Sequence, residues 1–253
     1  MAENPAHAYE GMIAETVHFS GHNGETIGGY QARPLGTGPY PGVVVIMEIF
    51  GLMPHTKEMA RKFAAAGYLA VAPDLYSREA VANPEDPRAE VMRRGGLPDA
   101  QAIGDMDGAA RLLLDSPQCN GKIGIIGHCS GGRHVLLYAC NSDKLSAAVD
   151  CYGGRVVTDE LTPAAPVAVI DMVERLRCPL LGLFGEDDQN PAPVHVARLE
   201  EELKKHRKTY EFHTYPSPAG HGFFADYRPS YRQDAAVDGW EKIFAWYGRY
   251  LST

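Results

Sequence analysis

The chain has 253 residues, of which 45% are hydrophobic, and a formal charge of -8 at neutral pH. This length and apolar content can bury one large core, so we expect a single domain over residues 1–253, with residues 1–11 as a loosely ordered arm. A negative charge without a basic cluster disfavours nucleic acid and anionic membranes as partners. The absence of a signal-peptide pattern and of a long apolar run predicts a cytoplasmic protein.

Cysteine spacing excludes two further classes of site. The 5 cysteines are an odd number and contain no C-x-x-C pair, so neither a disulfide framework nor a zinc site is predicted. The glycine-rich phosphate-binding motifs are also absent, so we expect no nucleotide, cofactor or metal.

The N-terminal third of the chain predicts a hairpin followed by buried strands. Residues 15–19 and 26–32 alternate apolar and polar side chains around G-H-N-G, which is typical of an antiparallel hairpin. Residues 42–47 read G-V-V-V-I-M, a strand buried on both faces, and they lead directly into Glu48. A carboxylate at that place is either a site residue or a strand-end side chain turned to solvent.

A parallel crossover follows. Residues 56–66 predict a helix with Thr56 as its cap, and residues 68–72 predict the next strand. Arg78 then lies beyond the carboxyl end of a strand, where it is either an anion ligand or a solvated loop residue. Residues 79–98 are polar and rich in Pro and Gly, so we expect a loop over the site.

The stretch that carries most information begins after a predicted helix over residues 99–114. It reads K-I-G-I-I-G-H-C-S-G-G-R-H and predicts a strand, a sharp turn and a helix. Gly127, Cys129 and Gly131 have the G-x-C-x-G spacing of a nucleophile elbow with cysteine in place of serine. With Ser130 as the nucleophile, His128 would occupy the position of the first glycine, so Cys129 fits better. The alternative is a small buried cysteine beside an ordinary turn.

Two later segments supply an acid and a histidine. Residues 145–149 predict a strand that leads to Tyr152 and Arg155, which come out at the same edge as Cys129 and can line a pocket. Residues 179–184 predict a strand that opens into G-E-D-D. The spacing selects Asp188 as the acid that orients a histidine, with Asp187 as the alternative. After a helix over 194–206 and a strand over 209–215, His221 lies between two glycines, and residues 231–251 predict a closing helix.

The chain order Cys129, Asp188, His221 is that of the α/β-hydrolases. We therefore expect a mostly parallel central sheet with helices on both faces and an N-terminal antiparallel hairpin. The three residues would act as thiol nucleophile, acid and proton carrier. The backbone N–H groups of Ile49 and Ser130 would stabilise the oxyanion.

The chain resembles the dienelactone hydrolases, also called carboxymethylenebutenolidases. The stretches V-V-V-I-M-E-I-F-G-L, A-P-D-L-Y-S-R, G-H-C-S-G-G-R, G-E-D-D-Q-N-P-A-P and A-G-H-G-F-F carry the likeness, which runs from about residue 12 to the C-terminus. The resemblance implies hydrolysis of an enol-lactone or a similar activated ester. It also implies that Glu48 pairs with the thiol and takes its proton, and that Arg78 binds a substrate carboxylate. We expect Phe50 and Tyr152 to contact the substrate as well.

One position departs from the family pattern. The second carboxylate-binding arginine, four residues after the histidine, is Ala225 here, and Arg228 is the substitute that the sequence offers. The expected partner is thus a small ester or lactone, anionic or neutral, and the protein a monomer or small homo-oligomer. A general carboxylesterase or thioesterase with the same triad is the second reading. A ligand-binding protein without turnover is the third.

Overall fold

The structure is a computed structural model that describes residues 11–252. Eight strands form one sheet in the order β1-β2-β4-β3-β5-β6-β7-β8. The strands are β1 Met12–Ser20, β2 Thr26–Pro34, β3 Tyr40–Ile46, β4 Leu69–Pro73, β5 Cys119–His128, β6 Ala147–Cys151, β7 Leu180–Gly185 and β8 Tyr210–Tyr215. The helices are α1 Pro54–Ala65, α2 Ser77–Ala82, α3 Pro87–Arg93, α4 Asp99–Leu114, α5 Ser130–Ala139, α6 Pro193–Lys205 and α7 Gln233–Leu251.

The sheet is parallel from β4 across to β8. Only β2 runs antiparallel, to β1 on one side and to β4 on the other. The mostly parallel sheet with an N-terminal hairpin confirms the fold that the sequence predicted. Because the strands are parallel, the carboxyl ends of β3 to β8 meet at one edge, where open α/β sheets bind their ligands.

Strand β3 divides the core into two layers. Val44 and Ile46 belong to one cluster of buried side chains, and Val43 and Val45 belong to the other. Since successive side chains of a strand point to opposite faces, the two clusters cover the two faces of the sheet. Helices α4 and α5 contribute to the first cluster, and α1 and α7 contribute to the second.

The structure differs from the sequence predictions at two places. Residues 79–98, predicted as loop, contain most of α2 and all of α3. Helix α1 begins at Pro54, and Thr56 is buried inside its first turn and does not cap it. Proline is favoured at the first helical position because its missing N–H would have no partner there.

The structure bears only in part on two expectations, the N-terminal arm and the absence of a membrane span. Except for Gly11, the predicted N-terminal arm over residues 1–11 lies outside the described residues. Within residues 11–252, none of the helices combines the length and the apolar character needed to cross a membrane.

Truncating Phe63 should destabilise the second cluster strongly. Its side chain is 0% exposed and its ring contacts four aromatic rings, those of Tyr68, Trp240, Phe244 and Tyr247. We expect Phe63→Ala to lower the free energy of unfolding by about 3–5 kcal/mol, measured by urea denaturation. The control Val237→Ala, at an exposed position of α7, should change it by less than about 0.5 kcal/mol. A loss for Phe63→Ala as small as that of the control would contradict this account of the core.

Candidate active site

The chain turns sharply between β5 and α5, and Cys129 lies at the turn. Its backbone has φ 57° and ψ -124°, a conformation that is strained for a residue with a side chain. A Cβ atom on Gly127 would lie 2.3 Å from the carbonyl oxygen of Gly131, and one on Gly131 would lie 2.7 Å from that of Ile46. Neither backbone neighbour leaves room for a side chain. The two glycines thus let Cys129 stand at the carboxyl edge of β5 and the N-terminus of α5.

His221 and Asp188 come together from the loops after β8 and β7. His221 Nδ1 lies 2.9 Å from Asp188 Oδ2, and the aspartate side chain is 1% exposed. Asp188 Oδ1 accepts a hydrogen bond of 2.8 Å from the backbone N–H of Asn190, so both carboxylate oxygens are engaged. Asp187, the alternative acid, is exposed and its Oδ2 accepts from the Ser217 hydroxyl at 2.9 Å.

The protonation of His221 depends on its two partners. Burial lowers the pKa of His221, but hydrogen bonds to Asp188 and to the Cys129 side chain, together with the negative charges of those groups, raise it to about 10. The contact with the buried Asp188 carboxylate thus favours the cationic form of the imidazole.

Two backbone N–H groups at the carboxyl edge of the sheet lack a partner in the described part of the chain. Within residues 11–252, the N–H groups of Ile49 and Ser130 have no hydrogen-bond acceptor. On the following peptide, the Tyr76 hydroxyl donates to the Ile49 carbonyl oxygen at 3.2 Å. Free donors at a helix N-terminus and a strand end are suited to bind a developing negative charge.

A cavity of about 380 Å³ joins these groups. Its lining comes from the loops at the carboxyl edge of the sheet: Ile49, Cys129, Ser130, Arg133, Gly154, Arg155, Asp187, Asp188, Gln189, Asn190 and His221. A larger cavity of about 730 Å³ lies between the loop after β8 and the start of α7, but its lining contains neither cysteine nor histidine. The chemistry, not the volume, selects the smaller cavity.

Glu48 is buried at the end of β3, but its partners differ from those that the resemblance implies. Its side chain is 6% exposed. Oε2 accepts from the Tyr227 hydroxyl at 2.9 Å and from Arg228 Nη2 at 3.4 Å. Oε1 is buried without a hydrogen-bond partner among the described residues. No hydrogen bond joins Glu48 to Cys129 within residues 11–252.

Arg78, for which the resemblance implies a substrate carboxylate, has its partners within the protein. Its guanidinium donates to Asp105 Oδ2 at 2.7 Å and Oδ1 at 3.1 Å, to the His22 carbonyl oxygen at 3.3 Å and to Glu25. It is not part of the cavity lining. Because the Asp105 side chain is 0% exposed, this carboxylate needs a cation, and Arg78 supplies it.

The other two predicted substrate contacts also lie outside the lining of the cavity. Tyr152 is fully buried, with φ 45°, and packs edge-on against His221 with ring centroids 5.2 Å apart. Phe50 is exposed and lies between two guanidinium groups, 4.6 Å from that of Arg228 and 5.3 Å from that of Arg88. Tyr152 thus packs against the imidazole of His221 as a buried support. Phe50 lies beside Arg228, the partner of Glu48.

Arg133 was not among the sequence candidates for the site, and Arg155 was noted only as a possible pocket residue. Both line the cavity beside Cys129. Arg133 lies on the first turn of α5 and makes a two-pronged ion pair with Asp99, at 2.7 and 2.9 Å. The sequence held a signal for each, because both follow carboxyl ends of strands by only a few residues.

The comparison with protein-family models agrees with this geometry. Residues 27–251 match the model described as the dienelactone hydrolase family. The chain belongs to the dienelactone hydrolase family. The protein is therefore a hydrolase of ester or lactone bonds.

Relatives and solved structures support the assignment. A protein of Methylorubrum extorquens named "Putative carboxymethylenebutenolidase" is 38% identical over 95% of this chain and 82% of its own length. A Bradyrhizobium protein named "Probable 2-oxo-3-(5-oxofuran-2-ylidene)propanoate lactonase" is 32% identical over 90% of this chain and 93% of its own. The crystal structure of a Klebsiella pneumoniae protein titled "Putative Dienelactone Hydrolase" superposes with a TM-score of 0.86 and 34% identity, covering 95% of this chain and 100% of that one.

Gly131→Ala should disrupt the turn of this family member. The new methyl group would press on the carbonyl oxygens of Ile46 and Met47, at 2.7 and 2.8 Å, and backbone cannot yield cheaply. We expect a loss of about 1–3 kcal/mol in the free energy of unfolding by urea denaturation, with slower alkylation of Cys129 by iodoacetamide.

The matched control is Gly248→Ala on α7, where a Cβ atom meets nothing within 4 Å. This substitution should stabilise the helix by about 0.5–1 kcal/mol. Equal effects of the two substitutions would mean that the turn does not need its second glycine.

The raised pKa of His221 makes one part of the stability depend on pH. Below about pH 6.5 the imidazole is protonated in both folded and unfolded chains, so the full benefit of its charge pairing is present. As the pH rises toward the folded pKa of about 10, that benefit is lost. We expect the difference in unfolding free energy between the wild type and His221→Gln to shrink between pH 6.5 and 10, measured by urea denaturation at intervals of pH. A difference that stays constant or grows would contradict the pairing.

Proposed function

We propose that the protein opens an enol-lactone or cleaves a small activated ester with Cys129 as nucleophile, His221 as proton carrier and Asp188 as orienting acid. The observation that carries the proposal is the contact of His221 Nδ1 with the buried Asp188 carboxylate, 2.9 Å, in a cavity that Cys129 lines together with both residues. A sulfur beside an imidazole that is fixed by a buried carboxylate is the arrangement that thiol acyl transfer requires.

The first half of the reaction follows from this arrangement. The thiolate sulfur of Cys129 attacks the carbonyl carbon, and the carbonyl oxygen takes up negative charge. The free N–H groups of Ile49 and Ser130 stabilise that oxyanion. His221 then donates its proton to the departing alkoxide or enolate oxygen, the C–O bond breaks, and an acyl thioester remains on Cys129.

The second half releases the acid. His221, now neutral, removes a proton from water while the water oxygen attacks the thioester. The proton taken from water makes the imidazole cationic again. Breakdown of the tetrahedral intermediate then expels the thiolate and releases the acid. Asp188 keeps the same contact to Nδ1 throughout and holds the ring in one orientation.

Glu48 is proposed to take part through its unused oxygen. Oε1 is buried and has no hydrogen-bond partner among the described residues, so it can accept the proton of the Cys129 thiol before the attack and leave the thiolate that reacts. When the second half expels the thiolate, Glu48 returns that proton to the sulfur. Both Glu48 and Cys129 act electrostatically on the buried Tyr152 hydroxyl, which supports their closeness. Tyr227 and Arg228 hold the other oxygen in place.

The substrate class is proposed from the cavity and the relatives. About 380 Å³ suits a small molecule, not a polymer. The names of the relatives include a lactonase and carboxymethylenebutenolidases, so an enol-lactone is the first substrate to test. A thiol nucleophile also favours activated esters over amides. Thiolate leaves a tetrahedral adduct more readily than an amide nitrogen does, so the adduct of an amide expels thiolate and returns to substrate.

Cys129→Ala should abolish hydrolysis of lactones and aryl esters, and Cys129→Ser should retain at most a small fraction, because a hydroxyl is a far weaker acid than a thiol. Initial rates on a panel of enol-lactones, aryl acetates and acyl thioesters measure this. The control is Cys119→Ala, at a partly exposed cysteine that does not line the cavity.

The panel also separates the alternatives. Preference for thioesters or plain esters would move the assignment to a thioesterase or a general carboxylesterase. Turnover that persists in Cys129→Ala would reject the triad. No turnover of any compound by the wild type would favour a binding protein.

A further inference from the structure

We infer that Arg155 is the group that binds an anionic substituent of the substrate, on the side of the cavity formed by the loops after β6 and β7. The inference rests on the proposed function of the same cavity. It assigns the anion site to a residue other than Arg78 and Arg228, the two that the family resemblance suggests.

The first step concerns which arginines can exchange a partner for a ligand. Three arginines near the site form ion pairs with buried carboxylates. Removing either member of such a pair leaves an uncompensated charge inside the protein. They are Arg78 with Asp105, Arg133 with Asp99 and Arg228 with Glu48, whose carboxylate side chains are 0%, 8% and 6% exposed. Their positive charges are thus already committed inside the protein.

Arg155 differs from these three in the exposure of its partner. Its guanidinium donates to Glu160 Oε2 at 3.0 Å and to the Glu160 carbonyl oxygen at 3.1 Å, and the Glu160 side chain is 80% exposed. An exposed ion pair of this kind contributes little to stability, because water solvates both groups when they separate. A ligand carboxylate can therefore take the place of the Glu160 carboxylate at small cost.

The second step concerns position. Arg155 lines the cavity together with Cys129 and His221, and its backbone is fixed to the acid of the proposed triad. The Arg155 N–H donates to Asn190 Oδ1 at 3.1 Å, and the Asn190 N–H donates to Asp188 Oδ1 at 2.8 Å. The base of the Arg155 side chain is therefore held in a constant relation to the reacting groups, while the guanidinium can change its partner.

The third step concerns chemistry. A guanidinium presents parallel N–H donors that match the two oxygens of a carboxylate. The cavity lining contains two acids, and the Asp188 carboxylate is already held by His221 and Asn190. Asp187 is held by Ser217. A small ester or lactone with a free carboxylate is thus the ligand that the remaining cation of the cavity fits.

The test compares two esters that differ only in a free carboxylate, meta-acetoxybenzoate and its methyl ester. We expect Arg155→Gln to raise KM for the anion on the order of tenfold relative to the methyl ester, and Arg155→Lys to recover part of the preference. Glu160→Gln should act in the opposite direction and lower KM for the anion, since it removes the competing carboxylate. Arg249→Gln, which removes the same charge from an exposed position of α7, should leave the ratio between the two esters as in the wild type.

A second measurement needs no turnover. Iodoacetate and iodoacetamide alkylate the same sulfur but differ in charge, and mass spectrometry of the Cys129 peptide gives both rates. Arg155→Gln should lower the iodoacetate to iodoacetamide ratio, and Glu160→Gln should raise it. Should Arg155→Gln change both esters and both reagents equally, the inference is overturned while Cys129-dependent hydrolysis still stands. If the wild type hydrolyses neither ester, the alkylation ratios alone decide the role of Arg155, and the enol-lactones of the panel decide the proposed function.

Discussion

The close approach of two backbone segments at residues 127 and 131 is the constraint on which the site depends. With no Cβ atom at either position, the first turn of α5 packs against the carbonyl oxygens of Ile46 and Met47 at the end of β3. That contact brings the β3 end, which carries Glu48 and the N–H of Ile49, next to the turn that carries Cys129. Ile49 and Cys129, about 80 residues apart in sequence, thus line one cavity because two glycines let their backbone segments approach closely.

Charge around the site is arranged so that the buried arginines have fixed partners and one exposed arginine does not. The Asp105 carboxylate shows why. It is fully buried on α4 and accepts from the His22 N–H at 2.8 Å as well as from Arg78. Removing the arginine would leave that charge unpaired inside the protein, which in comparable cases lowers the free energy of unfolding by about 3–5 kcal/mol. The position of Arg78 thus follows from stability, because its guanidinium supplies the charge that the buried Asp105 carboxylate needs.

The sequence predicted backbone features well and side-chain partners poorly. Continuous apolar runs such as residues 42–47 and the spacing of Gly127, Cys129 and Gly131 are local patterns, so the strands and the turn could be placed without coordinates. The short helices within residues 79–98 were not predicted, because one or two polar turns are too short to show a helical period of apolar residues. The partner of Arg78 escaped for a different reason: Asp105 is one acid among several on an amphipathic helix, and nothing in its neighbourhood in sequence shows that it is buried. Asp188 could be preferred over Asp187 only by spacing, whereas burial and the contact to His221 separate them in the structure.

In the loop after His221, Ala225 stands where the family pattern has an arginine, and Arg228 supplies a cation to Glu48 but not to the cavity. Ala225 is fully buried, so an arginine there would have to place its charge inside the protein. Successive turns, with the Ala225 N–H donating to Gly222 and the Arg228 N–H donating to Ala225, carry the chain on to Arg228, whose guanidinium reaches Glu48 and stacks on Phe50. The Glu48 carboxylate thus has a cation beside it from a position three residues beyond Ala225. Since its charge is balanced by a buried acid, however, it serves to hold Glu48 in place, and the cation of the cavity that can exchange its partner is Arg155, which is paired with the exposed Glu160.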